Sequence, residues 1–387
     1  MGSPKSILFS PYELRGVRFP NRVVISPMQM YLAHDGIAND WHFQHLAKYA
    51  VARAGCVFTE VLCVEPRGRN THWDLGIWND EQMPPLVRIR QFVESCGAVP
   101  AAQIGHCGGK ASRQRPFDGH GPLGDLDAAR GEPPWTPVGP IAEPSAPGYH
   151  VPHELTTAEI AGIVDAFANG TRRVAKAGFR FLEVHAAHGY LIHSFYSPIS
   201  NRRRDGYGGD RRGRMRLALE VAEAVRGEWP EELPLSFRLS CVDGIDGGWT
   251  MEDTVALARG LADRGVDAID CSSRGVRGAT SLANLEAARR PARAGYQVPY
   301  AEELRRETGI PTMAVGLILT PRQAERILAR GQADLVLLAR EALYDPHWVL
   351  HAARELENDS EWDLWPPSWG WWLAQRERTG VQVEPDH

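Results

Sequence analysis

Hydrophobic positions along this chain keep changing period. Short, nearly continuous apolar runs alternate with longer stretches in which apolar residues recur every three or four positions, the spacing of one helix face. Residues 22–27 (RVVISP), 56–64 (CVFTEVLCV), 99–105, 181–185, 235–240, 268–272, 311–315 and 334–338 read as strands. Helical spacing follows at 41–54, 81–95, 156–177, 214–227, 251–264, 300–308, 321–330 and 346–356. The third of these, TTAEIAGIVDAFANGTRRVAKA, sets Ile, Val, Phe and Val on one face, with Thr156 or Thr157 as N-cap. Strands each followed by a helix, eight times over, predict an α/β fold of the (β/α)8 TIM barrel type. A doubly wound sheet is the alternative, because a count of elements does not close a ring.

The 387 residues exceed the typical ~250 of such a barrel, so insertions are expected. Two stand out: a Gly-, Pro- and Asp-rich stretch at 107–152 after the third strand, and 274–294 after the sixth. Both fall on the face where barrel enzymes keep their active sites, and a loop as long as the first is usually functional or disordered. No linker divides the chain. We expect one barrel over 1–356 and a Trp-rich extension over 357–387, with Trp362, Trp365, Trp369, Trp371 and Trp372.

Net charge is -5, which gives no basic field for nucleic acid or anionic membrane. The basic run at 201–216 is interleaved with acids and reads as a solvated loop. No apolar stretch approaches the ~18 residues of a membrane span, and the N-terminus lacks the apolar core of a signal peptide. The six cysteines include no C-x-x-C pair and fit a reducing compartment, so a cytoplasmic protein is expected.

Chemistry-bearing residues gather at the strand ends. The first ends in SPMQMY (26–31), the third in QIGH (103–106), the fourth in HAAHGY (185–190), the seventh in AVG and the eighth in LAR. Gly316 allows close approach of backbone to a ligand, and Arg340 offers a fixed cation where this fold usually binds phosphate. Arg238 points inward from the fifth strand, a costly burial without an anionic partner. Gln103 can both donate and accept, as a heterocycle edge requires. Singly each has a bland reading, a turn or a structural ion pair. Jointly they suggest a phosphorylated ring cofactor across the barrel mouth.

The stretch EVHAAHGYLIH (183–193) raises three rivals. A metal-dependent barrel hydrolase could use His185 and His188, three apart, but no carboxylate cluster or HExxH spacing accompanies them. A Rossmann dehydrogenase has only the literal G-x-G-x-x-G at 119–124, which contains Pro122, follows no strand and opens no helix. A non-enzymatic binding barrel would use the histidines and tyrosine as scaffold. His193 reads as a satisfied core histidine.

In order along the chain stand SPM, QIGH with GGKA, EVHAAHGYLIHSFYSPISNRRRDGYGG, CSS, GYQVPYAEELR, AVGLI and DLVLLAREALYDP. This set resembles the old yellow enzyme family of NADH:flavin oxidoreductases, most closely its thermophilic-type branch, over about residues 7–356. The resemblance implies a barrel with non-covalent FMN reduced by NAD(P)H. It places Ser26, Pro27, Met28 and Gln29 along the flavin with the Val61 backbone nearby. Gln103 would bond the pyrimidine edge, Arg238 would stand near N1 and O2, and Gly316, Ala339 and Arg340 would hold the phosphate. His185 and His188 match the pair that grips a substrate oxygen, Tyr190 the proton donor and Tyr31 a substrate-contacting aromatic. The implied reaction is ene reduction: hydride from flavin N5 to the β-carbon of an enone or related unsaturated carbonyl, with charge developing on an oxygen held by two imidazoles.

The chain departs from the family pattern in places. Gln29 stands where the thermophilic-type branch commonly has Cys, which keeps dehydrogenation or isomerisation open. Ala339-Arg340 replaces Gly-Arg, and Arg212–Arg214 (RGR) replaces ENR. CVFTEVLCVEPRGR and GIWNDEQ also resemble reductases of aromatic CoA thioesters. Some relatives insert a C-terminal segment into a neighbour's active site. That makes the tail either an interface of a homo-oligomer, dimer or tetramer, or an aromatic cluster packed on its own barrel.

Overall fold

A computed structural model describes residues 6–276 and 293–380. The apolar runs become strands because both of their faces are covered, the condition under which parallel strands lose alternation. After a hairpin of β1 (Tyr12–Leu14) and β2 (Val17–Phe19) come β3 (Val23–Ile25), β4 (Cys56–Cys63) and β5 (Val99–Gly105). Then β6 (Val138–Gly139) and β7 (His153–Glu154) form a short parallel pair. β8 (Phe181–Ala186), β9 (Leu235–Ser240), β10 (Ala268–Ser272), β11 (Thr312–Ala314) and β12 (Leu335–Leu338) follow. β3, β4, β5, β8, β9, β10, β11 and β12 close into a parallel barrel, with β12 paired back to β3. The ring closes, so the doubly wound alternative falls. Phe19 of the hairpin packs edge-on against Phe181, ring centroids 5.7 Å apart.

Most element boundaries differ from the sequence reading by a few residues. The helix expected at 300–308 is Val298–Thr308, because Pro299 sits in its first turn, where a missing N–H costs nothing. The helix expected at 214–227 is Arg211–Glu228, started by Asp210, whose side chain accepts from the Gly213 N–H at 2.8 Å. Thr156, not Thr157, caps Thr157–Lys176 and forms a reciprocal capping box with Glu159.

The long insertion after β5 is ordered. It contains a helical turn (Asp125–Ala128) and reaches back through the β6–β7 pair. Of the second insertion, residues 277–292 lie outside the described residues. The tail folds onto its own barrel: helix Pro367–Arg378 follows Trp365, which stacks near His347 (6.1 Å), and Glu377 accepts from Arg354 (2.6 Å) and Trp362 (2.8 Å). Trp371 and Trp372 remain 57% and 67% exposed. No helix among the described residues is long and apolar enough to cross a membrane.

Candidate active site

Register brings the inward side chains of the middle strands into layers. His185 on β8 lies opposite Arg238 on β9, which lies opposite Asp270 on β10. One layer deeper, Gln103 on β5 faces Glu183 on β8, which faces Ser236 on β9. Gly105 leaves room for this: a Cβ there would stand 3.1 Å from Val61 Cγ2 and 3.2 Å from His185 Cβ.

On the C-terminal side of the ring a cleft of about 460 Å³ is lined by Arg238, His188, Ser272, Gly316, Ala339 and Arg340, among others. Gly316 has φ +108°, and a Cβ on it would meet Gln297 Oε1 at 2.8 Å, so the sequence needs glycine here. Arg340 is exposed and has no carboxylate in ion-pair reach among the described residues. Arg238 is buried and donates from Nη1 to Ser26 Oγ at 3.0 Å. Its Nε lies 3.2 Å from Asp270 Oδ2, yet neither group gains an aligned hydrogen bond from the approach. We therefore count the pair as a charge contact. A buried guanidinium with donors to spare, at the floor of a cleft ending in Arg340, suits an elongated anionic ligand. A larger hollow, about 1040 Å³, lies at the opposite end of the barrel beside Arg15, Arg226 and Asp263. It brings no histidine or nucleophile together, so we place the chemistry at the smaller cleft.

His188 sits in a turn with φ +60°, followed by Gly189 at φ +74°. The turn is held from three sides. The His188 N–H donates to Ser240 Oγ (2.9 Å), and its ring Nε2 bonds Ser272 Oγ (2.7 Å). Its carbonyl accepts from the buried Lys110 Nζ (2.7 Å), which also bonds the Gly275 carbonyl. Burial pulls the Lys110 ammonium down to about 7. The His185 ring lies 5.0 Å from that of His188 and 4.9 Å from that of Tyr190. Burial, then the charge of Arg238, holds His185 well below the ordinary imidazole range, and burial does the same for His188. Both rings are neutral near pH 7, each with one N–H to donate. His185 Nδ1 is buried without a hydrogen-bond partner. Burial also pushes the Tyr190 hydroxyl well up, so it keeps its proton.

Tyr190 Oη donates to Gln29 Oε1 at 3.3 Å, and Gln29 Nε2 donates to Asp74 Oδ2 at 2.9 Å. Asp74 also accepts from the Asn70 and Thr71 amides and the Thr71 hydroxyl. Glu60 on β4 fixes the next residue, accepting from the Met30 N–H at 2.8 Å; burial pushes its carboxyl up to about 8. Tyr31 has φ +59° and meets Phe117 edge-on at 6.4 Å, so the long insertion walls the mouth on this side.

The structure thus unites His185, His188, Tyr190 and Gln29, and separately gathers Arg238, Gly316, Ala339 and Arg340 beside Ser26. Of the predicted residues, His188, Arg238, Gly316, Ala339 and Arg340 line the cleft; Ser26, Pro27, Met28, Gln29, Tyr31, Val61, Gln103, His185 and Tyr190 do not, and Gln103 lies one layer below Arg238. The sequence reading missed Glu60, Asp74, Lys110 and Glu183 as partners of these groups. Glu60 and Glu183 had a signal, since each is an acid inside an apolar strand. His193 is core, as expected: Nδ1 accepts from the Gly189 N–H (2.7 Å), which leaves Nε2–H to donate to Asp243 (2.9 Å). Among the described residues, the one group of three possible metal ligands within 4.8 Å is Cys63, Asp74 and Cys107, and it includes neither His185 nor His188.

Comparison with known proteins agrees with this geometry. The profile of the NADH:flavin oxidoreductase / NADH oxidase family matches residues 7–359. An NADPH dehydrogenase from a Geobacillus species is 41% identical over 91% of this chain and 95% of its own length. One from Listeria innocua is 40% identical over the same shares. Among solved structures, 2-naphthoyl-CoA reductase in complex with 2-naphthoyl-CoA aligns with TM-score 0.78 at 23% identity, over 90% of this chain and 52% of that one. Morphinone reductase in complex with tetrahydroNAD aligns with TM-score 0.72 at 23% identity, over 94% and 93%. At those identities the two structures speak for the fold. Matched over nearly its whole length, with Arg238, Arg340 and its His–His–Tyr set on one barrel face, the chain belongs to the NADH:flavin oxidoreductase / NADH oxidase family, as an FMN-dependent oxidoreductase with NAD(P)H as reductant.

Proposed function

We propose that this enzyme is an ene-reductase acting on an α,β-unsaturated carbonyl, with Tyr190 as proton donor. The observation that carries the reading is a trio of uncharged donors, the buried His185 and Tyr190 with the half-buried His188 at the cleft: His185 and His188 at 5.0 Å, and Tyr190 at 4.9 Å from His185. Bound FMN, reduced by NAD(P)H, supplies the hydride. The protein's part is to hold the carbonyl oxygen and deliver a proton. Two imidazole N–H groups aimed at one oxygen stabilise the charge that grows there, and in a site screened from water they need no reorganisation. Tyr190 holds its proton until a strongly basic carbon develops beside it. Arg238, Arg340 and Gly316 would hold the cofactor, the first near its ring and the others at its phosphate. Gln103 would meet the ring's imide edge, and Tyr31 the substrate.

The test is anaerobic mixing of NADPH-reduced enzyme with 2-cyclohexenone while flavin absorbance is followed. Reoxidation that depends on the enone supports the reading. Replacing both His185 and His188 by Ala should abolish the long-wavelength band formed with p-hydroxybenzaldehyde while FMN stays bound. An unchanged band overturns the role of the pair.

A further inference from the structure

Two carboxylates and one arginine share the barrel interior: Glu183 on β8, Asp270 on β10, and Arg238 on the strand between. Their contacts divide cleanly. Asp270 lies 3.2 Å from Arg238 Nε. Glu183 has no bond to the arginine. It accepts from Gln103 Nε2 at 2.8 Å and from Ser236 Oγ at 3.0 Å. Gln103 Oε1 takes no hydrogen bond among the described residues.

We propose that Glu183 is a positioning residue for the flavin, acting through the amide of Gln103. The inference rests on the reading that Gln103 faces the flavin's imide edge. An ionised carboxylate only accepts, and a protonated one can spend its single O–H on Ser236. In either state Glu183 therefore calls for the NH2 of Gln103 and turns Oε1 the other way. The imide edge of a flavin runs carbonyl, N–H, carbonyl. An amide whose oxygen meets that N–H can set its second N–H against the neighbouring carbonyl, so both contacts are attractive. The flipped amide sets N–H against N–H and oxygen against oxygen, so both become repulsive. Glu183 thus supplies the discrimination that Gln103 alone lacks, since an unanchored amide has no preferred flip. Burial, then the charge of Asp270, pushes the Glu183 carboxyl upward, which keeps a further uncompensated charge from beneath the ring.

The experiment uses holoenzyme reconstituted with FMN or with FMN methylated at N3, in wild type, Glu183→Gln and Ser236→Ala. Glutamine keeps the volume of Glu183 but can donate as well as accept, which removes the bias on the flip. In wild type the methyl group removes the donor that Gln103 Oε1 requires, so the analogue should bind at least about tenfold more weakly than FMN. In Glu183→Gln we expect FMN binding weakened about tenfold, the ratio between the two flavins reduced several-fold, and the flavin N3 pKa moved toward that of free FMN. Ser236→Ala, which removes only the second anchor of Glu183, should move the same quantities less. If Glu183→Gln does not fold, Ser236→Ala decides: wild-type values for ratio and N3 pKa overturn the proposal. The same values in a folded Glu183→Gln overturn it too. A wild type that binds both flavins equally refutes the placement of Gln103, and one that binds no FMN refutes the cofactor site itself.

Discussion

Gly189→Ala tests how tightly the turn of His188 and Gly189 is held. Gly189 has φ +74°, and an added Cβ would stand 2.1 Å from the Gly275 carbonyl oxygen and 2.9 Å from Lys110 Cε and Nζ. Carbon–oxygen contacts relax near ~3.3 Å, so one side must retreat by about 1 Å. The left-handed backbone costs an L-residue ~1–2 kcal/mol, and overpacking adds ~1–3 kcal/mol. We therefore expect about 2–5 kcal/mol of destabilisation, a fall in Tm of roughly 3–6 °C for a chain of this size. The retreat also separates Gly275 from Lys110, whose ammonium ties that carbonyl to His188. A displacement of ~1 Å at the reacting groups can cost about 100-fold in rate. The assay is kcat/KM for enone reduction beside a thermal melt of the FMN-loaded protein. Gly97→Ala is the control: it shares the left-handed backbone (φ +84°) but its Cβ meets nothing within 4 Å. It should lose stability without losing rate. A Gly189→Ala enzyme matching the control in both measurements would show that the turn is not held as described.

Tyr190→Phe should lower enone reduction by about 10²-fold or more, while reduction of the flavin by NADPH changes little; equal losses in both half-reactions, measured by stopped flow, would remove its role as acid. Glu60→Gln addresses pH. The folded-state carboxyl is raised to about 8 from an ordinary 4.5, so its stability contribution is complete below the unfolded value and is lost as pH climbs through the folded one. The variant should therefore gain on wild type in unfolding free energy, from denaturant titrations, by a few kcal/mol between pH 5 and 8, and a constant difference across that range would refute the buried-acid account. Asp243→Ala strips partners from the His193 ring, the Ser197 hydroxyl and the Trp249 N–H, all buried. It should cost about 3–5 kcal/mol in urea unfolding, and a loss under ~1 kcal/mol would refute that network.

The barrel was legible because each strand is buried on both faces, so its apolar run stands out against the helical period. The His–Ala–Ala–His–Gly–Tyr block was legible because its residues are close in sequence and in space. What escaped was the support behind it. Asp74 reaches Gln29 across 45 positions, and Lys110 reaches His188 across 78. Nothing in the local pattern of GGKA marks its lysine as the tie between two loops. One helix start slipped by two residues: the expected helix opened at 300, yet Pro299 sits harmlessly in the first turn of Val298–Thr308. The insertion after β5 read as a featureless loop because its order comes from single contacts, such as Arg113 with Tyr149 at 2.9 Å, and not from any repeat.

The tail has a topological consequence. In a closed ring, β3 and β12 are neighbours in space but are separated by nearly the whole barrel sequence, so this seam carries the largest chain-closure entropy in the fold. Arg53, at the end of the helix that follows β3, donates to the Leu364 carbonyl (2.8 Å), and Arg354, in the helix after β12, holds Glu377 (2.6 Å). The chain's last segment therefore acts as a hasp across the seam, binding the earliest βα unit to the latest from outside. Pulling from the C-terminus, or trimming it by protease, has to release that hasp before the ring can be prised open.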